Sequence, residues 1–165
     1  MSVATDAPTQ RLRAFKHRLD PNASQLELLG QYAGAARVAF NMLTAHNRAA
    51  LQAGWDRRRQ LAEAGVPAEE LVGRMKAERA ADPALKVAGY QQFATEHLTP
   101  MVRAHREAAE AIAAGADPGQ VWADERYAQP WMHTVPRRVL VSGLQNAAKA
   151  TENWMASACG ARAGR

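Results

Sequence analysis

The 165-residue sequence is poor in residue types on which several classes of protein depend. It has one cysteine, Cys159, which excludes an internal disulfide and a zinc site built from several cysteines. It has no run of 18 apolar residues, so we expect no membrane span. Residues 1–10 lack the basic start and apolar run of a signal peptide. We therefore expect a cytoplasmic protein.

Motifs for common catalytic and cofactor sites are also missing. The sequence has no phosphate-binding loop, no dinucleotide-binding glycine pattern and no nucleophile elbow. The five histidines are scattered, and no two have the helical spacing of a metal site. The acidic residues of the middle suit helix starts and charged helix faces. The sequence thus predicts no enzyme activity and no cofactor for this chain.

The composition favours helices. Apolar residues make up 47% of the chain, but much of this fraction is alanine, and aromatic residues make up only 6%. Alanine is the best helix former and buries little area, so we expect helices that approach one another closely. We predict a mainly α fold, a helical bundle preceded by one basic N-terminal β-strand.

Positive charge is concentrated at the two ends of the chain. The net charge is +5, with six Lys/Arg against three Asp/Glu in residues 1–48 and five against one in residues 131–165. Residues 49–130 carry ten against twelve and are nearly neutral. Concentrated positive charge raises the local potential and attracts phosphate.

Residues 11–21 predict a basic strand and turn after a disordered segment at 1–10. Alternation places Phe15 and Leu19 on one face and Lys16 and Arg18 on the other, where these cations can reach a polyanion. Arg11 and Arg13 add to the charge of this strand. An alternative is a solvated edge strand that uses charge to prevent pairing with other strands.

The sequence predicts helices over residues 22–158 and a polar tail at 159–165. The first helix carries an apolar stripe that includes Leu28 and Leu29, and Gly30 and Gly34 interrupt it. We expect a break near Gly34, which gives a loose helix-turn-helix shape. Further helices are expected at 54–65, after Pro67, over 84–114 with a kink or split at Pro100, and from Pro136 to about 158.

Two separated blocks of sequence resemble the N-terminal region of the TnpB family, the transposon-encoded RNA-guided nucleases also called OrfB-type transposases, and of compact type V CRISPR effectors. The blocks contain RAFKHRLDP (13–21) with Gln25, Leu28 and Leu29, then AARVAFN (35–41), and finally VPRRVL (135–140) with LQNA (144–147) and Lys149. The resemblance implies a wedge-type strand at 11–21 and a helical recognition lobe at 22–158. Residues 52–130 depart from the family pattern as a variable insert.

The resemblance implies guide RNA and target DNA as partners and a bacterial cytoplasmic location. The family continues into the rest of the wedge domain and a RuvC-like nuclease with a zinc ribbon, neither of which occurs in these 165 residues. We therefore expect a module that cannot cut by itself. The residues expected to contact nucleic acid are Arg11, Arg13, Lys16, Arg18, Arg37, Asn41, Arg137, Arg138 and Lys149.

The sequence leaves several roles open. Arg37 and Asn41 are one helical turn apart and could line a polar groove or make an internal hydrogen bond. Arg137 and Arg138 stand at a helix start, where cations oppose the dipole, so an external anion is one explanation. Trp55, Trp122, Trp131 and Trp154 fit core packing better than base stacking. At the level of the chain, the alternatives are a stand-alone helix-turn-helix repressor and an inert gene fragment.

Overall fold

The computed structural model describes residues 20–123 and 130–160, and within these ranges it is helical without a β-strand. The mainly α prediction is confirmed. The predicted strand, with Arg11, Arg13, Lys16 and Arg18, lies outside the described residues. The α-helices are α1 (Ala23–Glu63), α2 (Ala68–Ala81), α3 (Tyr90–Phe93), α4 (Thr99–Ala113), α5 (Pro118–Trp122) and α6 (Arg137–Ala158).

Helix α1 starts at a complete capping box. The backbone N–H of Gln25 donates to Asn22 Oδ1 at 2.9 Å, and the backbone N–H of Asn22 donates to Gln25 Oε1 at 3.0 Å. This exchange satisfies two of the amide groups that a helix start leaves without partners. The capping residue of α1 is therefore Asn22.

The predicted break near Gly34 is wrong, because α1 runs without interruption from Ala23 to Glu63. The separate helix expected over 54–65 is part of it. Each interior glycine costs about 1 kcal/mol relative to alanine, but burial of a long stripe from Ala35 to Gly54 outweighs that cost. Before this stripe, Leu28 and Leu29 are 45% and 49% exposed, so the predicted apolar face is not covered there.

The chain turns at Gly65, whose φ of +83° favours glycine, and α2 then packs against the end of α1. Leu71 and Met75 supply the buried face of α2. Arg57 of α1 holds Glu78 of α2 through two hydrogen bonds, from Nε to Oε2 and from Nη2 to Oε1, the second at 2.7 Å. This bidentate pair fixes the α1–α2 hairpin.

The predicted distortion around Pro100 takes the form of a π-helical turn. Residues 90–113 form one continuous helical segment, in which Ala94–Leu98 between α3 and α4 is π-helical. The hydroxyl of Thr99 donates to the carbonyl oxygen of Ala94 at 2.7 Å. Proline has no amide hydrogen to continue the ladder, and a π-turn is one way of absorbing the lost bond.

The core forms where α6 packs along α1, the most extensive contact between two elements. Gly143 lies against the backbone of Ala36, and Trp154 lies near Trp55. The residue numbers of these contacting pairs increase together along α1 and α6, so the two helices run in the same direction. The segment at 88–98 and the 3₁₀ turn Pro130–Thr134 complete the core. Its buried members are Ala35, Ala39, Leu43, Ala88, Phe93, Ala94, Leu98, Met132, Val135, Leu140, Leu144 and Ala147.

Candidate nucleic-acid interface

Arg37 and Asn41 lie on the solvent face of α1. At 100° per residue they are on the side of the helix opposite the buried residues Ala35, Ala39 and Leu43. Both residues are exposed, and among the residues that the structure describes neither has a hydrogen-bonding or ionic partner. An internal hydrogen bond that fixes a helix pair is therefore not their role, and both remain open to an external ligand.

Internal hydrogen bonds from a side-chain amide are made instead by Asn47, which was not predicted from the sequence. Its Nδ2 donates to the carbonyl oxygen of Ala88 at 3.2 Å, and the backbone N–H of Ala88 donates to its Oδ1 at 2.9 Å. Asn47 is buried. The signal in the sequence was its position on the apolar stripe, four residues after Leu43, where a polar residue requires a partner.

Arg138 and Lys149 share the outer face of α6. They are eleven residues apart, which is close to three whole turns, so their side chains point the same way about 16 Å apart. Both are exposed. Lys149 Nζ contacts Glu152 Oε2 at 3.2 Å, and both of these side chains are largely exposed. Such a surface pair contributes little to stability and leaves Lys149 able to exchange its partner.

Arg137 points to a different place from Arg138. Its Nη2 donates to the hydroxyl of Thr99 at 3.2 Å, across the junction between α6 and α4. Arg103 and Arg106 of α4 line the same cleft. These two arginines were not predicted from the sequence because they belong to the nearly neutral middle of the chain. Their spacing of three, on one face of a helix, was the available signal.

The described candidates therefore occupy three places: Arg37 with Asn41 on α1, Arg138 with Lys149 on α6, and Arg137 at the α4–α6 cleft. No hydrogen bond or salt bridge within 20–123 and 130–160 joins these places. That these residues, together with Arg11, Arg13, Lys16 and Arg18, contact nucleic acid stays a prediction.

The arginine run at 57–59 is used within the protein. Arg57 pairs with Glu78, and Arg59 Nη2 lies 3.4 Å from Asp56 Oδ1. The hydrogen bonds from Arg57 lower the pKa of Glu78, and those bonds raise the pKa of Arg57 in turn. Two of the three guanidinium groups thus already contact carboxylates.

Three of the four tryptophans are exposed rather than packed in the core as the sequence favoured. Trp55 and Trp154 are 52% and 47% exposed, with ring centroids 6.3 Å apart. They stand at one end of a groove of about 450 Å³ between α1 and α6 that Phe40 and Leu51 also line. Trp131 is exposed as well, whereas Trp122 stacks near His105 and His133. In this small core, alanine and leucine fill the space.

A cluster of aromatic rings joins α1 to the π-turn. The ring of His46 lies 5.3 Å from that of Phe93 and 5.2 Å from that of His97, between centroids. Partial burial lowers the pKa of His46, and the neighbouring His97 lowers it further, while Glu96 opposes both effects. Neutral His46 is therefore the form that suits this contact between elements.

Two kinds of feature are absent from the described residues. In residues 20–123 and 130–160, no three His, Cys, Asp or Glu side chains come together in a way that could hold a metal ion. None of the helices in these ranges combines the length and the apolarity that crossing a membrane requires.

The described residues form a mainly helical domain with exposed arginines on several helices. Residues 11–54 match the family of OrfB transposases of the IS605 type, described as a helix-turn-helix domain. The N-terminal region of this chain is therefore similar to that of OrfB-type transposases. Neither a curated protein nor a solved structure matches the chain.

Proposed function

We propose that the chain is the nucleic-acid-binding N-terminal module of a TnpB-like RNA-guided DNA endonuclease, and that it binds guide RNA and target DNA. In this proposal it acts in the bacterial cytoplasm and does no chemistry itself. DNA cleavage belongs to a RuvC-type nuclease that is not part of these 165 residues. Base pairing then reads the target sequence, and the protein holds the nucleic-acid backbone.

One contact carries this proposal. The two blocks of sequence that resemble the family are about a hundred residues apart in the chain, yet they meet in the fold. Gly143, between the two motifs of the second block, packs directly on the backbone of Ala36 in the first, and Leu140 and Leu144 share the core with Ala35 and Ala39. The insert between them leaves this contact intact. A recognition lobe whose last helix closes onto its first would have this arrangement.

The exposed cations support a role in backbone binding. Arg37, Arg138 and Lys149 lie on solvent faces of the two helices that form this contact. None of them is buried in an internal ion-pair network, so little desolvation opposes their transfer to phosphate. Phosphate contacts of this kind position a nucleic acid and carry no sequence information themselves.

A stand-alone helix-turn-helix repressor is the second candidate, and the description of the matching family favours it. A helix-turn-helix motif places a second helix in the major groove after a short turn. Between Ala23 and Glu63 the described chain has no such turn. The continuous helix therefore supports the recognition-lobe proposal over the repressor.

A competition experiment separates the two candidates. The purified chain is bound to labelled structured RNA and challenged with unlabelled RNA, duplex DNA or an RNA–DNA heteroduplex at one salt concentration. We expect structured RNA and heteroduplex to compete better than duplex DNA. Strong preference for one duplex DNA sequence would contradict the proposal and support the repressor.

A further inference from the structure

We propose that the cleft between α4 and the start of α6 binds a phosphate group of the nucleic-acid backbone through Arg103, Arg106 and Arg137. This inference rests on the proposed function and names a contact site within it. Two of the three arginines come from the part of the chain that departs from the family pattern. The site would thus be a feature of this chain rather than of the resemblance.

The cleft has the shape of a small ligand site. Its volume is about 320 Å³, within the range of roughly 300–1,000 Å³ that is typical of binding pockets. Leu98, Val102 and Val135 supply apolar walls, and the hydroxyl of Thr99 and the ring of His133 add polar groups. An apolar floor with cations around it suits a phosphodiester, which has charged oxygens and an attached sugar.

The charge balance of the cleft is positive. Three arginines line it, and the carboxylate of Glu107 pairs with one of them, at 2.7 Å from Arg103 Nε to Glu107 Oε1. The side chains of Arg103 and Glu107 are 80% and 59% exposed, so this pair is weak and its terminal nitrogens remain accessible. One N–H of Arg137 donates to the hydroxyl of Thr99, which is a neutral acceptor.

This placement of the arginines is unfavourable for the protein alone. Arg103 and Arg106 are neighbours on one helix face, where like charges repel. Arg137 lies in the first turn of α6, where a cation opposes the helix dipole, and Pro136 provides no side-chain cap. A bound phosphate would relieve both costs. Guanidinium groups also match its oxygens in paired hydrogen bonds.

The test compares two charge-matched triple variants of the full chain. Arg103→Gln/Arg106→Gln/Arg137→Gln removes the cleft cations, while Arg58→Gln/Arg59→Gln/Arg74→Gln removes three exposed arginines elsewhere. Affinity for structured RNA is measured between about 50 and about 200 mM salt. For the cleft variant we expect on the order of tenfold weaker binding and a salt slope shallower by roughly one phosphate contact. The control variant should stay close to wild type.

A second measurement does not depend on any variant. Inorganic phosphate is titrated into the wild-type chain, and backbone amide NMR shifts are followed. We expect saturable shifts that cluster at Thr99, Arg103, Arg106 and Arg137. If the cleft variant melts at a lower temperature than the control, the single change Arg106→Gln replaces it. Arg106 makes no hydrogen bond or ion pair within the described residues, so its loss should weaken RNA binding without unfolding.

The outcomes separate the two proposals. If wild type binds RNA and both triple variants bind it with the same affinity as wild type, the cleft inference is overturned and the proposed function stands. If wild type binds no nucleic acid, the proposed function fails and the inference fails with it. If the cleft bound polyglutamate more tightly than RNA, the inference would also be overturned, because this result would indicate an acidic protein partner.

Discussion

Asn47 and Asn41 are the same residue type on the same helix, and burial alone separates their roles. The amide of Asn47 satisfies both backbone groups of Ala88, whereas Asn41 faces solvent. We expect Asn47→Ala to lower the free energy of unfolding by about 2–4 kcal/mol, because two buried backbone groups lose their partners. Asn41→Ala, the matched control, should change it by less than about 0.5 kcal/mol. Denaturant unfolding measures both, and equal effects would contradict the assignment.

His46 makes stability depend on pH. Its pKa in the folded state is lowered, mainly by burial, from an ordinary value of 6.5. The unfolded chain therefore binds this proton more readily, and the contribution of His46 to stability, complete above pH 6.5, is lost as pH falls through the folded-state pKa. NMR titration of the His46 ring should give a pKa below 6.5, and His97→Gln should raise it. A His46 pKa above 6.5 would contradict this account.

At the scale of single residues, the sequence was informative about chemistry and less so about surroundings. It selected Arg37 and Asn41 but left open whether they face inward, since helix spacing defines a face and not what covers it. It gave no reason to separate Arg137 from Arg138, although adjacent residues on a helix point about 100° apart. Only the position of α4 shows that Arg137 joins Arg103 and Arg106.

The length of α1 is the clearest difference between expectation and structure at the scale of elements. Glycine spacing predicted a break near Gly34, yet the glycines with positive φ in the described residues are Gly65, Gly115 and Gly160. Local propensity is worth about 1 kcal/mol per glycine, and packing along α6 exceeds it. The start of α6 after Pro136 and its end near Ala158 followed the sequence, because proline and the apolar stripe are both local signals.

Two glycine-to-alanine changes test this view of the helices. Gly34 has open space where a Cβ would stand, so Gly34→Ala should stabilise the protein by about 1 kcal/mol if α1 is continuous. At Gly143 a Cβ would overlap the carbonyl group of Ala36, with its carbon 2.9 Å away. Gly143→Ala should therefore destabilise by about 2–3 kcal/mol or more. Thermal and denaturant unfolding give both values; destabilisation by Gly34→Ala would indicate a turn at that position.

At the scale of the whole molecule, the sequence predicted the mainly α fold and the similarity of the N-terminal region to OrfB-type transposases. Both predictions come from patterns that can be recognised without a tertiary structure, namely alanine-rich helical periodicity and an ordered set of motifs. It could not predict that the α4 arginines, in a nearly neutral stretch, would meet the basic start of α6. Net charge per segment does not report which side chains the fold brings together.

The central proposal is that this chain binds a nucleic-acid backbone through exposed cations. The most direct test is filter binding of the full chain to structured RNA over a range of salt concentrations. Because phosphate contacts release counterions, the logarithm of the affinity should fall linearly as the logarithm of the salt concentration rises. An affinity that does not change with salt, or a dissociation constant that stays above the micromolar range at low salt, would contradict the claim.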